Sequence, residues 1–510
     1  MKRDWTTRSS IVLIGGIIVV INLIGLTIFG RLDLTDDNVY SLSDASVKLA
    51  QELEDPVTFK AFFTDDLPAP YSANRRFLKD KLDDYRAYAG SNVQYRFIDP
   101  GQDEEVAEEA RRFRIPPVQI QVIEKDNVQL KNAYMGMSIE YGGEREVIPV
   151  VQDLSTLEYD ITSAIRRLTR DELPTVGFLA GHGEPNVFQD MPSLRQGLGR
   201  NYEVVEVNVV DSTLDRLPDA LLIVAPTDTI PDLHLRAIDS YVMDGGRLGL
   251  MLNTVSADLQ AGQATAQSVG LEPVLEAYGV GLRTDLVTDL QSSAVTVQQQ
   301  SGFFNIARQI EYPFFPIASR FNPDNLMVSR LREVVFYFVS SVDTTATLPA
   351  GVEVQPLVYS TARSATQEGF FFIQPMMEGR PNYSDGPFIL SAAYTGTFPS
   401  AYDRSRESVS SRIVVVGDGD FINESVLGRI PGNIEFGLNM VDWLVQESDL
   451  LTIRSKKIEP RALREVNENL RPWIKYGNML APALLIVVFG LVRWRRRDAR
   501  QFVMRDSAEL

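Results

Sequence analysis

The chain is strongly apolar near both ends, and each apolar run carries its arginines on the outer side. Ile11 to Phe29 is interrupted only by glycines, Asn22 and Thr27; a second run extends from Trp473 to Val492. About twenty apolar residues at 1.5 Å per residue cross a hydrocarbon core of about 30 Å. Lys2, Arg3 and Arg8 precede the first run, and Arg493, Arg495, Arg496, Arg497 and Arg500 follow the second. Positive residues in short flanks stay on the cytoplasmic side. The pattern therefore predicts transmembrane helices over 11–29 and 473–492, cytoplasmic ends over 1–10 and 493–510, and an extracytoplasmic body between them. A cleaved leader has an apolar core of roughly 7–15 residues and a small-residue cleavage site. Phe29-Gly30-Arg31-Leu32-Asp33 is a poor site, so the first run reads as an uncleaved anchor. The second contains Pro482, yet it stops abruptly among arginines. Trp473, Tyr476 and Trp494 suit a membrane–water boundary.

Charge and composition remove several functional classes. The 510 residues are 44% hydrophobic, enough for two or three domains with their own cores. Net charge is −18, and the basic flanks conceal a stretch 11–492 that carries −23. Nucleic acid is therefore not an expected partner, because its affinity comes from phosphate neutralisation by Lys and Arg. The absence of cysteine excludes a thiol nucleophile, a CxxC pair, a disulfide and a Cys-ligated zinc. With only His182 and His234, a histidine-rich metal site is not expected, and no cofactor is implied.

Alternating strand and helix signals begin at Val57. Val57–Thr64, Val93–Ile98, Val118–Ile123, Met135–Tyr141 and Glu146–Val151 read as strands. Ala73–Ala89, Glu104–Phe113 and Leu157–Arg170 read as helices. The order is that of a thioredoxin-like domain over 31–171, with Arg114-Ile115-Pro116-Pro117 similar to the X-cis-Pro approach to its third strand. The dithiol is missing. After Leu173-Pro174, strands at Thr175–Ala180, Glu203–Val209, Ala220–Ala225, Arg247–Asn253 and Arg412–Val416 alternate with helices such as Leu233–Met243 and Ile434–Val445. This is the pattern of a doubly wound, flavodoxin- or glutamine-amidotransferase-like α/β domain over 172–455, with an irregular insertion at about 283–410. Residues 456–472 read as a juxtamembrane helix.

An ordered set of short segments resembles one family. Asp33-Leu34-Thr35 and Tyr40-Ser41-Leu42-Ser43 follow the first apolar run, and Gly181-His182-Gly183-Glu184 follows a strand. Leu221–Pro226 leads to Gly245-Gly246-Arg247-Leu248. Val416-Gly417-Asp418-Gly419-Asp420-Phe421, Asn439-Met440-Val441-Asp442-Trp443-Leu444 and Leu451-Thr452-Ile453-Arg454-Ser455-Lys456 complete the set. Together they resemble the GldG-like, gliding-motility type of auxiliary component of an ABC-2-type transporter. The resemblance implies a non-catalytic subunit in the bacterial inner membrane. Its partners would be a multi-span permease and, through it, a cytoplasmic ATPase. The chain itself has no GxxxxGK[ST] phosphate loop.

Four residues form a candidate pocket: His182, Glu184, Asp418 and Asp420. Loops at the carboxyl ends of parallel strands are where open α/β sheets bind ligands, and His182 has the chemistry of an acid–base group. That supports an alternative reading as a membrane-tethered hydrolase or ligand receptor. The bland reading is a conformational turn around a hydrogen-bonded histidine, and no nucleophile elbow accompanies it. Gly417-Asp418-Gly419-Asp420 reads either as an oxygen-donor cation loop or as a capped strand-to-helix turn. His234, at the start of a helix, is assigned no role. The aromatic residues Phe303, Phe304, Tyr312, Phe314 and Phe315 read as a binding patch or as the core of the insertion. Arg493–Arg500 fits topology control, anionic membrane lipid or a cytoplasmic partner.

Overall fold

The computed structural model describes residues 41–445, apart from 66, 69–70, 102, 125–126, 152–153, 155, 171, 302–303 and 375–382, together with 453, 475, 477, 479–481, 487–492 and 495. Residues up to Lys457 form one compact unit and Ile458–Leu510 another.

The first layer begins where Ser43 caps α1 (Asp44–Gln51), its hydroxyl accepting from the Ser46 N–H. Strand β1 (Val57–Phe63) is followed by α2 (Ser72–Ala89), which turns Leu78, Leu82 and Tyr85 inward at helical spacing. Then come β2 (Val93–Ile98), α3 (Glu104–Arg112), β3 (Val118–Glu124), β4 (Asn127–Ala133), β5 (Met135–Tyr141), β6 (Glu144–Ile148) and α4 (Leu157–Thr169). Four strands form one sheet in the order β2-β1-β5-β6. β1 runs parallel to β2 and antiparallel to β5, with Phe59 opposite Ile139. Phe59, Leu82, Tyr85, Met137 and Ile161 are fully buried in one core. The expected third strand is not in this sheet: β3 pairs with β4 as a separate hairpin. Apolar–polar alternation makes a strand but does not choose its neighbour. Only one face of β3 is required to be dry, with Ile120 buried between exposed Gln119 and Gln121. Nor is Pro116 or Pro117 cis; the cis bond among the described residues is Gly386-Pro387.

The larger layer comprises β7 (Thr175–Leu179), α5 (Val187–Asp190), α6 (Pro192–Leu198), β8 (Glu203–Val207), β9 (Ala220–Val224), α7 (Asp232–Met243), β10 (Leu248–Met251), α8 (Glu272–Tyr278), β11 (Asp285–Asp289), β12 (Ser292–Ser301), β13 (Phe304–Ala318), β14 (Arg320–Phe321), β15 (Val352–Tyr359), β16 (Ser364–Glu368), β17 (Ile389–Gly396), β18 (Ser411–Val416) and α9 (Pro431–Leu444). Its sheet has eight strands in the order β14-β15-β17-β18-β10-β9-β7-β8. β18, β10, β9, β7 and β8 are parallel, and β17, β15 and β14 extend the sheet antiparallel. Leu221 to Ile223 and Ile413 to Val416 are almost wholly buried, as strands covered on both faces require. The irregular stretch 283–410 thus supplies three strands of the main sheet. It also forms the long β12–β13 hairpin and a β11–β16 pair.

The two flanking transmembrane helices expected from the sequence are corrected by the structure. Among the described residues no helix is long and apolar enough to cross a membrane. The longest, α2, is charged along its length (Arg75, Arg76, Lys79, Asp80, Lys81, Asp83, Asp84, Arg86). Residues 11–29, the Asp33–Tyr40 connector, the segment 456–472 and most of the basic tail 493–510 lie outside the described residues, as does part of 473–492.

Candidate functional site

Strand order reverses at β7, with β8 on one side and β9 on the other. That leaves the loops after β7, β9, β10 and β18 along one rim, where an open parallel sheet meets its ligands.

The loop after β7 carries Gly181-His182-Gly183-Glu184. Gly183 has φ +78°, in the left-handed region open to glycine, and a Cβ there would lie 2.0 Å from the Thr227 hydroxyl. The His182 carbonyl accepts from the N–H groups of Thr227 (3.0 Å) and Asp228 (2.9 Å), stitching this loop to the one after β9. Glu184 turns back on its own loop: one oxygen accepts from the His182 N–H at 2.6 Å, and the other lies 3.0 Å from His182 Nδ1. Both side chains are almost wholly buried.

His182 Nε2 lies 2.8 Å from His234 Nδ1, with the rings nearly perpendicular. An ionised carboxylate only accepts, so His182 Nδ1 carries the hydrogen that faces Glu184; of His182 Nε2 and His234 Nδ1, one donates and the other accepts. His234, assigned no role from its position in the sequence, is therefore the outer end of a Glu184–His182–His234 chain. The one available signal was scarcity, since these are the only two histidines.

Partial burial, reinforced by His182, holds the His234 pKa below its ordinary 6.5. Since the folded value lies below the unfolded one, the unfolded chain binds this proton more readily. The associated stability is present above about pH 6.5 and is lost as pH falls towards and through the lower folded value. Melting temperature is expected to decline on acidification below about 6.5, with a shallower decline in His234→Gln. Identical pH profiles for the two proteins would contradict the assignment.

Asp418 and Asp420 form a second cluster after β18. Asp418 is wholly buried; it accepts from the Tyr337 N–H at 2.5 Å and the Asp420 N–H at 2.7 Å. Burial, with Asp420 beside it, holds its pKa well above the carboxylate range, and burial raises Asp420 as well. Asn253, at the end of β10, donates to Asp420 at 2.8 Å and accepts from the Gly419 N–H at 2.7 Å. Sequence reading missed Asn253 and the Tyr337 backbone, both remote in the chain. Gly419 presses on the β9 loop, where an added Cβ would lie 2.6 Å from Ala225 Cβ and 2.7 Å from its Cα.

The structure thus unites each predicted pair but not the two pairs. β9 and β10 stand between β7 and β18, a separation of roughly 14 Å at about 4.8 Å per strand. The Ala225–Thr227 loop fills the gap, touched by Gly419 on one side and lying within reach of Gly183 on the other. Among the described residues no group of three or more His, Asp or Glu is placed to hold a metal. Tyr312, Phe314 and Phe315 are core: with Phe338 they enclose a buried cluster that includes Leu286 and Phe371. Phe303 lies outside the described residues.

Comparison with known proteins gives two family matches. A model for auxiliary components, described as an ABC-type uncharacterized transport system, matches residues 173–444, from the start of β7 to the end of α9. A domain of unknown function matches residues 36–140. An uncharacterized protein of Borreliella burgdorferi is 21% identical over 490 residues, covering 93% of this chain and 94% of its own length. Among solved structures, the mmIFT52 N-terminal domain is 14% identical with a TM-score of 0.34, over 53% of this chain and 96% of that one. The exo-beta-1,4-mannosidase Op5Man5 from Opitutaceae bacterium strain TAV5 is 10% identical with a TM-score of 0.22, over 74% of this chain and 50% of that one. Neither score carries a structural argument.

Proposed function

Because the chain belongs to the family of auxiliary components of an ABC-type transport system, we propose that it acts by association and catalyses no reaction of its own. In this reading it binds the system's membrane-embedded permease and, through it, the ATPase that supplies the energy. Its folded body supports or gates passage of the transported molecule. The carrying observation is the family match across the whole of the larger layer, from β7 to α9. The saturation of the rim supports it: the carboxylates of Glu184, Asp418 and Asp420 accept hydrogen bonds from their own loops and from Asn253.

Purification of the native protein in mild detergent is expected to bring down a multi-span permease and an ATPase. Recovery of a stable protein with neither partner would overturn the reading. The Glu184–His182–His234 chain favours one competitor, a hydrolase or ligand receptor centred on His182 and Asp418. That reading predicts that His182→Ala abolishes transport while the complex still assembles. The auxiliary reading predicts that His234→Gln, which spares the buried pair, leaves assembly and transport within about twofold of wild type.

A further inference from the structure

A separate cavity of about 470 Å³ lies in the first layer, lined by Asp65, Leu67, Arg75, Arg76, Lys79 and Phe97 among others. It sits beyond the carboxyl end of β1 and beside the carboxyl end of β2, the two parallel strands of that sheet. The chain turns from one neighbour of β1 to the other there, with β2 on one side and β5 on the other. The carboxyl ends of parallel strands, here β1 and β2, are where open α/β sheets receive ligands. Three cations and one carboxylate face this cavity in a chain of net charge −18.

Each cation has a distinct situation. Arg75 is held in place: its guanidinium lies 2.7 Å from Asp65 and 5.2 Å from the Phe97 ring centroid. Lys79 pairs with Asp83 at 2.8 Å. Arg76 is exposed and has no carboxylate partner among the described residues. An oriented Arg, an Arg with no carboxylate partner among the described residues and a Lys one turn further on all line one concavity and match the charge and fork geometry of a phosphate.

We propose that this cavity binds a phosphate-type anion through Arg75, Arg76 and Lys79. The proposal is independent of the functional reading above. It is tested on the full chain at low salt, with inorganic phosphate titrated by calorimetry and with flotation on phosphatidylglycerol against phosphatidylcholine vesicles. Saturable phosphate binding assigns a free phosphate-type ligand. Binding confined to phosphatidylglycerol vesicles assigns an anionic lipid headgroup. Either must weaken at least about tenfold in Arg76→Gln with Lys79→Gln and recover substantially in Arg76→Lys, since the point charge returns even though the fork does not. Arg76 is exposed, so the melting temperature of Arg76→Gln alone should stay at the wild-type value. Failure to bind either probe overturns the proposal, as does equal binding by the double variant.

Discussion

Glu158→Ala is expected to lower the free energy of unfolding by about 3–5 kcal/mol, the cost of leaving a buried charge without its partner. Glu158 lies on α4 with its side chain 7% exposed, facing Lys81 of α2 at 3.3 Å with 4% exposed. Its other oxygen accepts from the Ser43 N–H (2.7 Å), the Ser43 hydroxyl (2.7 Å) and the Ser46 hydroxyl (2.8 Å). One carboxylate therefore ties the three helices α1, α2 and α4 together. The same residue raises the pKa of Tyr85, which burial already pushes up. Lys81→Met should cost clearly less, because Glu158 keeps its hydroxyl and amide donors. Urea unfolding followed by circular dichroism measures both. A Lys81→Met loss equal to or greater than that of Glu158→Ala would show that the charge pair, and not the hydrogen-bonded hub, carries the stabilisation.

Gly419→Ala is the second large effect, expected at about 3 kcal/mol, the upper end of ordinary overpacking. The new methyl would strike Ala225 at its Cβ, Cα and N, all within 2.7 Å. No rotamer relieves a clash with backbone, so the β18 loop or the β9 loop must move. Movement breaks the Asn253 bonds to Gly419 and Asp420 as well. Gly183→Ala differs in kind. Its clash is with the Thr227 hydroxyl, which Thr227→Ala removes, while the strain of φ +78° stays. The pair Gly183→Ala with Thr227→Ala is therefore expected to recover part of the loss, measured by the same urea titration. Gly419→Ala within about 0.5 kcal/mol of wild type would refute the close approach of the two loops.

Local signals were readable where burial and periodicity coincide. The strand expected at Thr175–Ala180 is observed at Thr175–Leu179, and the helix expected at Leu233–Met243 spans Asp232–Met243. The strand expected at Arg412–Val416 runs from Ser411 to Val416. Partners were harder to read. Val118–Glu124 has a strand's alternation, yet it pairs with its neighbour in sequence instead of joining the layer's sheet. Residues 333–340 contribute only the short strand Val334–Val335, because Tyr337 and Ser340 turn their N–H groups to Asp418 and Gly417. The apolar ends indicated membrane-crossing helices that the described residues do not contain.

The sequence by itself determined the alternation of strands and helices, the absence of thiol chemistry and the family resemblance. It did so because these depend on residue type and short spacing. Tertiary structure alone decided that His182 meets His234 across 52 residues and that Asn253 joins Asp420 across 167. It also brought Ile453 against Ala45 and Tyr159. Those encounters follow from the order of strands in a sheet. Strand order is set by which buried faces fit, and a local pattern specifies only that a face is apolar.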